Sequence, residues 1–246
     1  MQISEYHRMA QVSTKHWWYL AKRSLLTNLL NFWLPDLKSP RKILDVGSGT
    51  GANWPVLRHF GTVVGLEQSE IGVAYCQSLG WSGIKQGNAN EINFPAASFD
   101  LVTILDVLYH KKIKSDQKVL NTLARIIKPG GWLVVTDCAG PAWYGPHDKV
   151  NQARQRYTLA EMTGKVSTAG LEVKHASYFY FLSYPLFAVT RLAQKFNFIG
   201  IENSENLPPT IVNWCLTKLL MLESKLACRL KLPIGSSILV LAQKSI

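Results

Sequence analysis

The heptapeptide Asp45-Val46-Gly47-Ser48-Gly49-Thr50-Gly51 follows directly on the apolar pair Ile43-Leu44. Its three glycines alternate with small residues where an apolar run ends. Glycine loses more chain entropy on folding than any other residue, so its repetition marks backbone that needs positive φ or a close neighbour. A glycine turn between strand and helix presents N–H groups and a helix N-terminus at the carboxyl edge of a sheet. That geometry suits an anionic or adenosine-bearing ligand.

Working outward, short apolar runs alternate with helical segments. Residues 42–46, 62–67, 83–87, 99–107 and 132–137 read as strands. Ser69 and Ser115 cap helices that end near Gly80 and Ile127, and Lys128-Pro129-Gly130-Gly131 reads as a turn. Thr158-x-x-Glu161 has the form of a capping box and opens a helix that stops at Gly170. Residues 171–181 and 236–244 complete the strands. Single helices between strands imply parallel βαβ units, right-handed crossovers and a doubly wound sheet.

Two stretches lie outside this alternation. Residues 4–34 form a helical preamble in which Trp18, Ala21, Leu25, Leu29 and Phe32 recur at helical spacing, with Lys22, Arg23, Asn28 and Asn31 between them. Pro35 and Pro40 end it. Residues 182–235 read as two helices. The first has Pro185 in its opening turn and Leu186, Phe187, Val189, Leu192, Ala193 and Phe196 on one face. The second starts near Thr210 and is expected to bury Ile211, Trp214, Cys215, Leu219 and Leu222, with Asn213, Thr217, Lys218, Ser224 and Lys225 facing out.

Composition narrows the class. In 246 residues, 47% hydrophobic and 11% aromatic content excludes a disordered chain. A net charge of +11 favours an anionic partner or serves solubility. With no RRM or zinc signature and no dense basic cluster, no nucleic-acid partner is expected. Cys76, Cys138, Cys215 and Cys228 form no CxxC pair and show no metal-ligand spacing, so no metal is expected and a reducing compartment fits. The polar start is not a secretory signal, and no uncharged apolar run approaches the roughly 20 residues of a membrane span. A cytoplasmic location is expected, with peripheral contact at the inner membrane face as an alternative.

The loop itself excludes some ligands. A P-loop needs Lys and Ser or Thr after its last glycine, whereas Ala52-Asn53 follow Gly51. The dinucleotide spacing G-x-G-x-x-G is replaced by G-x-G-x-G, with Trp54 where close helix packing would be needed. Glu67, twenty residues after Gly47, can accept from both hydroxyls of a ribose. That feature serves nicotinamide and S-adenosylmethionine enzymes alike.

DVGSGTG, GLEQS, GNANEINFPAASFDLV and IIKPGGWLVV, in this order, resemble the motifs of class I S-adenosylmethionine-dependent methyltransferases over residues 41–137. HWWYLAKR (16–23) is similar to the N-terminal helix of some bacterial small-molecule members. The resemblance implies an α/β, Rossmann-like, doubly wound seven-stranded sheet with an antiparallel last strand. It also implies one methyltransferase domain: an N-terminal helical cap (1–40), a core (41–181 and 236–246) and a helical insertion before the last strand (182–235). S-adenosylmethionine would be the cofactor. Asp45, Gly47, Ser48, Gly49, Thr50 and Gly51 would cradle its methionine part. Glu67 would hold the ribose with Gln68 beside the adenine. Asn88, where family members usually carry aspartate, and Ala89 would meet the adenine ring. Leu105 and Asp106 would floor the methyl group.

The acceptor side is read from position. His110 follows the fourth strand, and His147 and Tyr157 lie after the fifth; these are the candidate acid–base residues, His147 beside Asp148. Trp18, Tyr109, Trp143, Tyr144, Arg154 and Arg156 are candidate substrate contacts. The expected reaction is methyl transfer to a small, lipophilic or aromatic acceptor at O, N or C. The alternatives are a non-catalytic S-adenosylmethionine-binding scaffold at a membrane or partner protein and an NAD-dependent oxidoreductase. The insertion has three readings: pocket roof, homodimer contact and membrane surface.

Overall fold

Strand alternation sorts the apolar residues into two layers, one on each face of a sheet. The computed structural model describes residues 3–34, 41–196, 198, 200 and 207–246. Pro35, Pro40 and residues 201–206 of the insertion lie outside the described residues. The strands are β1 (Arg41–Val46), β2 (Gly61–Glu67), β3 (Ile84–Gln86), β4 (Phe99–Leu105), β5 (Ile127–Cys138), β6 (Leu171–Phe179) and β7 (Ser237–Lys244). They form one seven-stranded sheet in the order β3-β2-β1-β4-β5-β7-β6. The first five strands are parallel, and β7 runs antiparallel to both β5 and β6. The order reverses beside β1, so the mouths of β1 and β4 open a crevice at the carboxyl edge.

The helices follow as α1 (Ile3–Val12), α2 (Trp17–Trp33), α3 (Trp54–Phe60), α4 (Glu70–Ser78), α5 (Asp116–Ile126), α6 (Pro146–Val150), α7 (Leu159–Thr168), α8 (Tyr184–Lys195) and α9 (Thr210–Ala227). On one face, Leu44, Val46, Val102, Ile104, Leu133 and Val135 pack against α5 and α7. On the other, Ile43, Leu101, Val134 and Leu239 pack against α2 and α3. The caps work as their chemistry dictates: Ser115 Oγ accepts from Lys118 N and Thr158 Oγ1 from Glu161 N. Ser69 is an N-cap by backbone alone, with no side-chain cap bond.

Four expectations need correction. Residues 128–131 are not a separate turn. β5 runs through them, and the register shifts from Phe99 opposite Ile127 to Leu101 opposite Trp132. The preamble is two helices, broken at Ser13–His16, where His16 Nδ1 accepts from Trp18 N. Within it Lys22 is buried and Phe32 exposed. The two insertion helices have the expected spans, but the apolar residues of the second that were expected to be buried are exposed. Ile211, Trp214, Leu219 and Leu222 of α9 and Leu186, Val189, Leu192 and Phe196 of α8 are exposed, while Ser224 is buried. α9 docks on α2 through Leu220 and Ala227 together with small polar residues, Ser24 and Asn28 being bonded to Ser224.

Trp54 shows why the third dinucleotide glycine is missing. Its indole lies under the loop, Nε1 donating to Asp45 Oδ2 at 3.1 Å. The close approach is supplied from β2: a Cβ on Gly65 would lie 2.4 Å from Trp54 Cζ2 and 2.6 Å from both Ile84 Cδ1 and Ser48 Oγ. Gly65→Ala should therefore cost about 1–3 kcal/mol of stability by overpacking, measured by urea unfolding, whereas Gly164→Ala, at a site with open space, should not destabilise.

Candidate active site

The glycine loop is built on positive φ: Gly47 has +72°, Gly49 +57° and Gly51 +73°. Side chains rarely adopt these angles, which accounts for the three glycines. The loop is held from β2. Gly47 N and Ser48 N donate to Leu66 O, and Gly49 N donates to Glu67 Oε2 at 2.8 Å. Glu67 is buried, and its Oε1 also accepts from Ser69 N and Tyr6 Oη, each at 2.8 Å. One carboxylate thus joins α1, the glycine loop and the start of α4. Met9 of α1 lies over the loop, its Cε 2.9 Å from where a Cβ of Gly49 would be.

Asp45 faces inward. Its Oδ1 accepts from Thr103 Oγ1 at 2.7 Å, and burial raises its pKa to about 6. Ser48 Oγ donates to Asp45 O. Gln68 is exposed, and Ala89 packs on the core. Asn88 Oδ1 accepts from Asn90 N and Nδ2, so this amide organises its own turn. Two buried polar atoms flanking the loop have no hydrogen-bond partner among the described residues: Thr50 Oγ1 and Trp81 Nε1. Trp81 Nε1 lies 3.0 Å from where a Cβ of Gly51 would be. Buried orphans are rare and call for a ligand or ordered water. The left-handed loop, the Glu67 carboxylate and these orphans fit S-adenosylmethionine.

Beyond the loop, β4 ends on Leu105, which is buried, and Asp106, whose φ is +56°. Asp106 N donates to Thr136 O, its Oδ1 accepts from Thr136 Oγ1, and its Oδ2 forms an ion pair with Lys22 Nζ. Lys22 Nζ also lies 3.6 Å from the ring centroid of Trp18, a cation–π contact. Trp18 stacks on Tyr180 at 5.9 Å and 13°. Burial lowers the Lys22 amine to about 7, although Cys138 and Asp137 oppose the shift. Burial likewise raises Asp137 to about 7, against the N–H groups that bond it, including those of Cys138 and Tyr109. An amine and a carboxyl poised near neutrality at a strand terminus are suited to moving a proton.

Sequence reasoning placed Trp18, Leu105 and Asp106 here but missed Lys22, Asp137, Tyr6 and Met9. A signal for Lys22 existed: residues 18, 22, 25 and 29 share one helical stripe, so this lysine sits on the face that Trp18, Leu25 and Leu29 turn inward. For the other three the sequence offers no local cue.

The remaining candidates are engaged with other groups of the protein. Tyr157 is fully buried, its hydroxyl bonded to Leu108 O and Asp116 Oδ2 at 3.0 Å each. Arg156 is buried against Asp148, with Nε 2.8 Å from Oδ1, and also donates to Ala139 O. Asp148 is therefore committed to Arg156, and the expected His147–Asp148 acid–base pair does not form. His147 Nε2 pairs with Asn151 Nδ2 at 2.9 Å. His110 Nδ1 accepts from Lys112 N, and burial, aided by the charges of Lys112 and Lys111, lowers its pKa to about 4, so the ring is neutral at pH 7. Arg154 leans on Asp116 at 3.4 Å. Tyr144 Oη donates to Ala153 O, and Trp143 Nε1 donates to Tyr184 Oη. Tyr109 joins the site through its backbone, Tyr109 N donating to Asp137 Oδ2. No group of three metal-type ligands occurs among the described residues.

Comparison with known proteins agrees with this geometry. Residues 44–135 match a family model described as a methyltransferase domain. A ubiquinone/menaquinone biosynthesis C-methyltransferase, UbiE, of Vibrio vulnificus is 31% identical over 137 residues, 50% of each chain. A demethylmenaquinone methyltransferase of Bacillus cereus is 32% identical over 121 residues, 45% of this chain and 50% of its own. The chain thus spans about half the length of the curated relatives it matches. An S-adenosylmethionine-dependent methyltransferase structure from Mesorhizobium loti shares the fold, with a TM-score of 0.57, 18% identity and 87% and 95% coverage of the two chains. Glu67→Gln should weaken S-adenosylmethionine binding by about 1.5–3 kcal/mol, the worth of hydrogen bonds to a charged group, as read by titration calorimetry; unchanged affinity removes Glu67 from the cofactor site.

Proposed function

We propose that this chain, whose residues 44–135 match a methyltransferase-domain model, is a class I S-adenosylmethionine-dependent methyltransferase that methylates a small acceptor with an apolar or aromatic body. The observation that carries this reading is the Lys22–Asp106 pair at the end of β4, next to the glycine loop and under the Trp18 ring. When bound, S-adenosylmethionine supplies an electrophilic methyl group on a sulfonium sulfur. Thr50, Glu67 and the glycine backbone would hold it. In-line displacement asks the protein mainly for alignment, worth about 7–11 kcal/mol when reactants are well oriented.

Lys22 supplies the rest. In its neutral form Nζ takes the proton from the acceptor hydroxyl or carbon acid, and Asp106 steadies the resulting ammonium. Trp18 lies over the Lys22 amine and is backed by the buried Tyr180 ring, and an aromatic face beside the base favours a flat or lipophilic acceptor. The quinone-related names of the two curated relatives support that class, although their matches cover about half of each chain.

Incubation with methyl-labelled cofactor and a cell extract, followed by fractionation, tests the proposal: label should enter the lipid or small-metabolite fraction. Cofactor binding without any labelled product would favour the non-catalytic scaffold. Lys22→Met should lower turnover by about 10²–10⁴-fold, the usual worth of a general base, with cofactor affinity little changed. In the parent protein the rate should climb as pH rises through about 7, because the base is the unprotonated amine. A flat profile between pH 6 and about 8 would remove Lys22 from that role.

A further inference from the structure

The insertion helices are packed inside out. Asn213 of α9 accepts from Trp17 N and donates to Lys15 O, and Glu223 accepts from Phe181 N and Leu182 N. With Ser224 bonded to Ser24 and Asn28, and Leu220 and Ala227 buried against α2, the docking face of α9 is a narrow stripe of mixed polar and small apolar contacts. The opposite stripe, Ile211, Cys215, Leu219, Leu222 and Leu226, is left outside. Ile211 and Trp214 are 67% and 57% exposed, and Val189 and Phe196 of α8 are 65% and 63% exposed. A water-facing helix normally turns its polar side out. Contiguous apolar exposure on two successive helices marks a surface that something else covers.

Charge selects the occupant. Lys195, Lys218, Lys225, Arg229 and Lys231 are exposed on or beside these stripes. Between 182 and 235 the only carboxylate among the described residues is Glu223, which is buried. The insertion carries six lysines and arginines against Glu202, Glu205 and Glu223, so a second copy seated on this face by two-fold symmetry would bring a net positive surface against its own like. An anionic bilayer supplies both requirements, phosphates for the lysines and acyl chains for the leucines. A cleft of about 660 Å³ opens between α2 and α9, and the exposed Lys218 and Lys225 on its rim offer donors to a phosphate headgroup. No helix among the described residues is long and apolar enough to cross a membrane, so the contact lies in the interfacial plane.

We propose that α8 and α9 dock the protein on the surface of an anionic phospholipid bilayer, their leucine, isoleucine and aromatic side chains entering the acyl boundary and their lysines meeting the headgroups. This inference stands apart from the methyl-transfer reading, since it needs neither cofactor nor acceptor. The test is flotation with vesicles of equal parts phosphatidylglycerol and phosphatidylcholine, against vesicles of phosphatidylcholine alone. The protein should float with the anionic vesicles only and release in high salt. Lys218→Glu with Lys225→Glu, and separately Leu222→Ser with Leu226→Ser, should each weaken binding by at least about tenfold. All four positions are exposed, so both variants should keep their circular dichroism and their cofactor affinity in solution. Failure to float with either vesicle would overturn the proposal. So would undiminished flotation of both variants, or a lipid-free dimer that the leucine variant converts to monomer.

Discussion

The carboxylate of Glu67 is the constraint on which the site depends. It is buried at the end of β2 with three donors: the backbone N–H groups of Gly49 and Ser69 and the hydroxyl of Tyr6. Hydrogen bonds to a charged group are among the stronger ones in a protein. Here they fix the left-handed glycine loop, set the start of α4 and draw α1 down over the crevice. A ribose binding at this carboxylate would meet one already engaged by Tyr6, which would link cofactor binding to the position of α1. Met9, above Gly49, belongs to the same closure.

What could be read in the sequence was whatever local chemistry decides. The glycine loop, the strand spans, the Ser115 and Thr158 caps and the antiparallel β7 all follow from periodicity, turn residues or motif resemblance. Lys22 shows the next level. Helical spacing puts it on the stripe of Trp18 and Leu25, yet a lysine among polar neighbours reads naturally as solvated. Only the arrival of Asp106 from β4 makes its burial tolerable. Tyr157 and Arg156 err the other way. Both occupy a loop at the correct edge of the sheet, but Asp116 and Asp148 draw them into the interior as supports.

The insertion helices make a related point about amphipathicity. Periodicity located α8 and α9 correctly, but a hydrophobic stripe does not say which way it faces. On α9 the small polar stripe of Asn213 and Ser224 matches small polar residues on α2, and backbone groups at 15, 17, 181 and 182 need the partners that Asn213 and Glu223 supply. These partly buried contacts, with Leu220 and Ala227 packed beside them, fix which side of α9 meets α2 and leave the leucine stripe outside. The Lys22–Asp106 edge and the apolar surface are joined through α2, which carries Lys22 at one and Ser24 and Asn28 at the α9 contact.

A crystal structure with S-adenosylhomocysteine bound tests the central claim most directly. The account predicts the ribose hydroxyls on Glu67 in place of Tyr6, the amino-acid end of the molecule at Thr50 Oγ1, and the sulfur facing the Lys22–Asp106 pair. A by-product bound elsewhere, or a crevice in which Tyr6 and Met9 stay in place at saturating ligand, would contradict it.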